Sequence, residues 1–136
     1  MFPISIRVLV VDDMPTLREL VKQQLKSLGL SNIQEAEDGE AAWLMMKKAE
    51  QIGQAFEFVI SDWNMPKLSG IDLLKKVRTE AKWTQLPFVL LTSESERDNV
   101  TEAILSGVSQ YIVKPFTQKA FEEKLKSAWT KHHGSR

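Results

Sequence analysis

Short, unbroken apolar runs alternate five times with longer stretches whose apolar residues recur at helical spacing. The runs predict strands over 6–11, 32–36, 57–61, 87–92 and 109–113. The stretches between and after them predict helices over 15–28, 39–52, 69–81, 97–106 and 117–130. In the first helix Leu17, Leu20, Val21, Leu25 and Leu28 form one stripe. Pro15 suits its first turn, where a missing N–H costs nothing, and Gly29 suits its far end. Asp38-Gly39 turns into the second helix, which offers Ala42, Leu44, Met45 and Ala49 for packing. Ser69 or Gly70 opens the third, with Ile71, Leu74 and Val77 toward a sheet. Val100, Ala103 and Ile104 mark the fourth, which Gly107 closes. Thr117 is the expected N-cap of the fifth, which buries Phe121, Leu125 and Ala128.

Alternating strands and helices predict a mostly parallel α/β sheet, covered on both faces and joined by right-handed crossovers. Strands one, three and four are nearly continuous apolar runs, as positions buried on both sides must be. The second and fifth carry more polar residues, as edge strands do. Two edges around a 1-3-4 centre give a flavodoxin-like (βα)5 doubly wound sheet of order 2-1-3-4-5. Its topological switch, where such sheets bind ligands, lies between strands one and three.

The residues at which these runs end are chemically distinctive. Val8-Leu9-Val10-Val11 ends in Asp12-Asp13, and Val59-Ile60-Ser61 ends in Asp62 with Pro66 beyond it. Phe88-Val89-Leu90-Leu91 ends in Thr92, and Tyr111-Ile112-Val113 ends in Lys114-Pro115. Singly, each has an ordinary reading. Aspartate at a strand end is commonly a turn residue or helix cap, threonine there reflects β-propensity, and lysine before proline is simply exposed. Tyr111 reads as an edge-strand residue and Trp63 as a partly covered loop aromatic. Five polar groups at the C-terminal ends of four strands exceed what turn chemistry explains.

Composition narrows the setting. A chain of 136 residues is one domain by size, and 43% apolar with 26% charged is ordinary for a globular protein. Lys+Arg and Asp+Glu are both 18, so the chain lacks the basic footprint of a nucleic-acid binder. Without cysteine there are no disulfides or thiolate metal sites, which fits a reducing compartment. The opening residues lack a basic n-region, and no apolar stretch is long enough for a bilayer. A soluble, cytoplasmic protein without membrane contact is expected.

Three carboxylates at one sheet edge repel. A pair ~5 Å apart costs ~3 kcal/mol at an effective dielectric of ~20. Such a site takes up protons or binds a cation, and oxygen-only donors select Mg²⁺ or Mn²⁺. Asp13 and Asp62 are assigned as direct ligands, with Asp12 acting through water. Asp62 is then the nucleophile of a phosphoryl transfer, forming an aspartyl-phosphate. Lys114 and Thr92 would meet two of the phosphoryl oxygens. The Lys114–Pro115 bond is a candidate for the cis form.

These motifs resemble the receiver domains of two-component response regulators. The resemblance rests on Asp12-Asp13, Asp62, Thr92 and Lys114-Pro115 and covers residues 5–131. The remainder, 132–136, reads as a short tail of the kind expression vectors leave. Within the family, Glu35-Ala36-Glu37-Asp38-Gly39, Ser61-Asp62-Trp63-Asn64-Met65-Pro66 and Val113-Lys114-Pro115-Phe116-Thr117 are similar to the CheY-like chemotaxis regulators. The resemblance implies a stand-alone phosphoacceptor that is not a turnover enzyme. It implies a histidine kinase as donor, a phosphatase as a further partner, and a monomer. It supplies the Asn64 backbone carbonyl as another metal ligand. Asn64 and Glu94 match positions that tune dephosphorylation, and Trp63 is expected to report metal binding by fluorescence. Thr92 and Tyr111 would form the switch. The output face would carry Arg97, Val100, Ile104, Tyr111 and Lys124 and contact the flagellar motor switch.

Glu96 is acidic and Ile104 bulky where such regulators commonly carry a lysine and a small residue. The alternative is therefore a phosphate sink or phosphorelay carrier without motor contact. A phosphatase of the haloacid-dehalogenase type would need a second acid where this chain has Asn64. A flavin carrier would need a phosphate loop after strand one, and this chain has none there.

Overall fold

The computed structural model describes residues 3–93 and 100–133. Strands β1 (Val8–Val11), β2 (Ile33–Ala36), β3 (Phe58–Asp62), β4 (Phe88–Thr92) and β5 (Gln110–Val113) alternate with helices. These are α1 (Pro15–Ser27), α2 (Gly39–Gln51), α3 (Gly70–Thr79), α4 (Val100–Leu105) and α5 (Gln118–His133). The strands pair in parallel in the expected order β2-β1-β3-β4-β5.

Successive strand residues point to opposite faces, which divides the core in two. Leu9, Val11, Val59, Phe88 and Leu90 pack against Ala42 and Met46 of α2, Leu73, Leu74 and Val77 of α3, and Ala103 of α4. Val8, Val10, Ile60, Val89, Leu91 and Ile112 face Val21 and Leu25 of α1, with Phe121, Leu125 and Ala128 of α5. The central strands β1, β3 and β4 are buried throughout, whereas edge strand β2 is mostly exposed.

Local signals act largely as the sequence implies. The Ala41 N–H donates to Asp38 Oδ1 at 2.7 Å, capping α2. The Asp72 N–H donates to Ser69 Oγ at 3.2 Å, so Ser69 opens α3. The Ala120 N–H donates to Thr117 Oγ1 at 3.0 Å, capping α5. Gly29 and Gly107 end their helices at φ of 93° and 91°, in the left-handed region that favours glycine.

Several expected side chains face elsewhere. Leu44 is 63% exposed, because α2 turns Ala42 and Met46 inward and Leu44 lies about 200° around the helix from Ala42. Met46 fills the core position instead. Leu20 and Ile104 are likewise exposed, at the margins of their stripes. The third helix stops at Thr79, Glu80 is extended, and a short 3-10 turn comes next over Ala81–Trp83. The fifth helix runs through His133, two residues into the stretch read as tail. His132 is drawn in by hydrogen bonds to Ser109 and Gln85. The predicted start of the fourth helix at 97 lies outside the described residues.

Candidate functional site

Backbone pairing carries the sheet one residue past its strands and thereby fixes the polar side chains at its C-terminal edge. The Asp12 N–H donates to Ala36 O at 3.1 Å, and the Lys114 N–H donates to Thr92 O at 2.7 Å. The Trp63 N–H, directly after Asp62, donates to Leu91 O at 3.0 Å. Adjacent central strands thus hold Asp12 and Asp62 side by side.

Asp12, Asp13 and Asp62 each offer a carboxylate oxygen within 4.8 Å of the other two. Asp12 and Asp62 are buried, and Asp13 is exposed. The Lys114 ammonium donates to Asp62 Oδ1 at 2.6 Å across the end of the sheet. Asp12 Oδ1 accepts from the Met14 N–H at 2.9 Å, and the Arg18 guanidinium donates to the Asp12 carbonyl at 2.7 Å. Asp12 Oδ2 and Thr92 Oγ1 are both buried without a hydrogen-bond partner among the described residues.

This environment makes Asp12 harder to ionise than an ordinary carboxyl. Burial foremost, with the Asp62 charge behind it, pushes its carboxyl up to about 6, although the Met14 amide pulls the other way. A buried carboxylate oxygen left without a donor, beside two further oxygens, fits a hard divalent cation in chemistry and spacing. Nothing softer than oxygen is present among these donors.

The structure therefore brings together Asp12, Asp13, Asp62 and Lys114. Thr92 is one residue beyond Leu91, the register partner of Asp62 on the neighbouring strand. Asn64 is exposed on the loop after β3. Trp63 departs from expectation. Only 5% exposed, it belongs to the core beneath α2 and α3, because the chain turns inward there. Tyr111 and Lys124 meet away from the carboxylates, with the Lys124 ammonium 5.0 Å from the Tyr111 ring centroid. A cavity of about 350 Å³ lies beside them, walled by Val113, Pro115, Phe116 and Ala120. Val100 is half-buried and Ile104 is exposed on α4. Arg97, Glu94 and Glu96 lie outside the described residues.

Two glycines that sequence reasoning treated only as helix openers also position the site. A Cβ on Gly70 would sit 2.0 Å from the Asp62 carbonyl oxygen, and one on Gly39 would sit 2.2 Å from the Leu68 carbonyl oxygen. The Gly70 N–H donates to Trp63 O at 2.8 Å, and the Gly39 N–H donates to Leu68 O at 3.1 Å. The loop after Asp62 is thus clamped at both ends by close backbone approach. A glycine at the first position of each helix, where most residues serve, was the available signal.

The response regulator receiver domain family matches residues 8–126. The chain is 46% identical over 121 residues to chemotaxis protein CheY-3 of Vibrio cholerae serotype O1, covering 89% of each. It is 39% identical over 128 residues to chemotaxis protein CheY of Pseudomonas aeruginosa, covering 94% of this chain and 99% of that one. The solved structure of chemotaxis response regulator CheY4 of Vibrio cholerae is similar, with a TM-score of 0.79 at 30% identity. That likeness covers 91% of this chain and 98% of the other.

Proposed function

The chain belongs to the response regulator receiver domain family, and on that premise we propose that it accepts a phosphoryl group from a histidine kinase on Asp62. The observation that carries this reading is the Lys114 ammonium on Asp62 Oδ1, beside two further carboxylates at one strand edge. An Asp62 carboxylate oxygen attacks the phosphorus of a phosphohistidine. The P–O bond forms as the P–N bond breaks, and the imidazole leaves with its electron pair and takes up a proton. Lys114 and Thr92 donate to phosphoryl oxygens as charge spreads over them. Asp12, Asp13, Asp62 and the Asn64 carbonyl would hold Mg²⁺ or Mn²⁺, which supplies positive charge to the carboxylates and the phosphoryl group when bound. Water later cleaves the acyl phosphate, so the chain acts as a phosphoacceptor rather than a turnover enzyme.

Phosphorylation would bias an equilibrium between two states. Thr92 moves toward the new phosphoryl group, Tyr111 turns inward, and the α4–β5–α5 face changes shape. The chemotaxis names of the relatives support the flagellar motor switch as the target of that face. The exposed bulk of Ile104 favours the second reading, a sink or relay carrier. Binding to the N-terminal peptide of a flagellar switch protein, with Mg²⁺ and with or without beryllofluoride, separates the two. Tighter binding with the mimic is the expected result. No binding in either state, while the site still responds to the mimic, would leave the carrier.

A further inference from the structure

Away from the strand edge, α2 and α3 carry an unusual concentration of cations around one ring. The Lys47 ammonium lies 5.3 Å and the Lys76 ammonium 4.9 Å from the Trp43 ring centroid. The two ammonium groups are therefore no farther apart than the sum of those distances. Neither lysine is in an ion pair among the described residues, whereas Lys22, Lys75 and Lys126 each reach a carboxylate within 4.0 Å. The ring quadrupole attracts each cation, and neither has a carboxylate within 4.0 Å among the described residues.

Trp43 is half-buried and packs edge-to-face on Trp83, with centroids 5.6 Å apart. Trp83 is buried in the core, so the exposed part of Trp43 is held in place before any partner arrives. The Lys82 ammonium lies 4.9 Å from the Trp83 ring centroid but reaches the Glu50 and Glu80 carboxylates at 3.9 Å each, so the free cations at the Trp43 ring, among the described residues, are Lys47 and Lys76. Leu44, next to Trp43, is 63% exposed, and Lys48 lies one turn further along α2. A fixed aromatic anchor flanked by two lysines outside any ion pair among the described residues, with an exposed leucine beside it, has the makeup of a protein-docking patch.

We propose that this outer surface of α2 and α3 docks an acidic segment of a partner protein. Two of its carboxylates pair with Lys47 and Lys76, and an apolar side chain covers Trp43 and Leu44. The surface belongs to the α2–α3 side of the sheet, whereas α1 and α5 cover the opposite side. It is thus separate from the groove beside Tyr111 and can be filled independently of it. A protein fits better than a nucleic acid, because Glu40, Glu50, Asp72 and Glu80 are interspersed along the same elements. A continuous phosphate backbone would meet those carboxylates, and the chain has no net charge to offset them.

The test is fluorescence anisotropy of a labelled Glu-Glu-Leu repeat peptide against the whole chain. The titration is repeated with Lys47→Glu/Lys76→Glu and with the control Lys119→Glu/Lys126→Glu on α5. Affinity should fall about tenfold or more in the first variant, fall with added salt, and hold in the control. The milder Lys47→Gln/Lys76→Gln pair, which keeps the stems over Trp43, should lose part of the affinity while retaining the native circular dichroism. Equal affinity in the wild type and in a folded Lys47/Lys76 variant would overturn the proposal. So would equal losses in the α5 control, or an oligo-dT competitor that displaces the peptide from this patch.

Discussion

Arg78 and Asp12 are charged groups set against opposite edges of one sheet, and their surroundings contrast. At the N-terminal edge the Arg78 guanidinium donates to the carbonyls of Gly107, Trp83 and Leu86 at 2.9, 2.8 and 2.7 Å. It also donates to Ser109 Oγ at 3.3 Å, which accepts the Phe88 N–H at 2.9 Å as well. With two donors on its oxygen, Ser109 gives its own hydrogen to His132 Nε2 at 2.7 Å. His132 is then neutral, and its Nδ1–H donates to Gln85 Oε1 at 2.9 Å. Each group's role is dictated by the next. At the C-terminal edge three carboxylates crowd together while Asp12 Oδ2 and Thr92 Oγ1 have no partner among the described residues. One edge commits its polar groups to stability, and the other holds them ready for a phosphoryl group and a cation.

The contrast can be broken most severely at Gly70. A methyl group there meets the Asp62 carbonyl at 2.0 Å, so backbone must move. Gly70→Ala should cost ~3 kcal/mol or more in urea denaturation and abolish the response to beryllofluoride. A folded, responsive variant would show that the loop after Asp62 is not clamped.

Next in size is Arg78→Ala, which removes the guanidinium donor from the Gly107, Trp83 and Leu86 carbonyls, of which Trp83 O keeps the Leu86 N–H at 3.3 Å. A loss of ~2–3 kcal/mol is expected by the same denaturation, with phosphorylation of the folded fraction unchanged. A loss confined to phosphorylation would contradict the division between the edges.

His132 sharpens the comparison through pH. Burial first, then the charges of Arg78, Lys131 and His133, lowers its pKa from 6.5 to about 4. The folded state therefore resists the proton that the unfolded state accepts. The stabilisation is complete above pH 6.5 and is lost as pH falls toward about 4. With solvent screening it amounts to roughly 1 kcal/mol, and His132→Gln should flatten that part of the pH–stability curve. An unchanged curve would mean that His132 is solvated.

Thr92→Val should produce the smallest change in stability, with the opposite sign. Removing a buried hydroxyl that has no partner among the described residues leaves stability unchanged or raises it by up to ~1 kcal/mol. Phosphomimic-dependent peptide binding should nevertheless weaken. A loss above ~1 kcal/mol by denaturation would show that the hydroxyl is already engaged in the resting fold.

The fold was legible because periodicity and polarity agreed. Continuous apolar runs identified β1, β3 and β4 as central, and the polar residues of β2 identified an edge. The carboxylates and Lys114 were legible because strand termini in such sheets share one edge. Leu44 and Met46 were exchanged because a helix pattern rich in apolar residues leaves its rotation to tertiary packing. Trp63 resembled a loop aromatic because sequence does not show that the chain turns inward after Asp62. The Arg78–Ser109–His132 network was invisible, since its members are far apart in sequence and carry no motif. The clamp at Gly39 and Gly70 depends on two backbones meeting, which no single segment displays.

The most direct measurement is intact-protein mass after incubation with acetyl phosphate and Mg²⁺, for the wild type and for Asp62→Asn. The expected result is the mass gain of one phosphoryl group in the wild type, reversed by hydroxylamine and absent from the variant. Full labelling of Asp62→Asn would place the phosphoryl group elsewhere and contradict the assignment of this edge as the phosphoacceptor site.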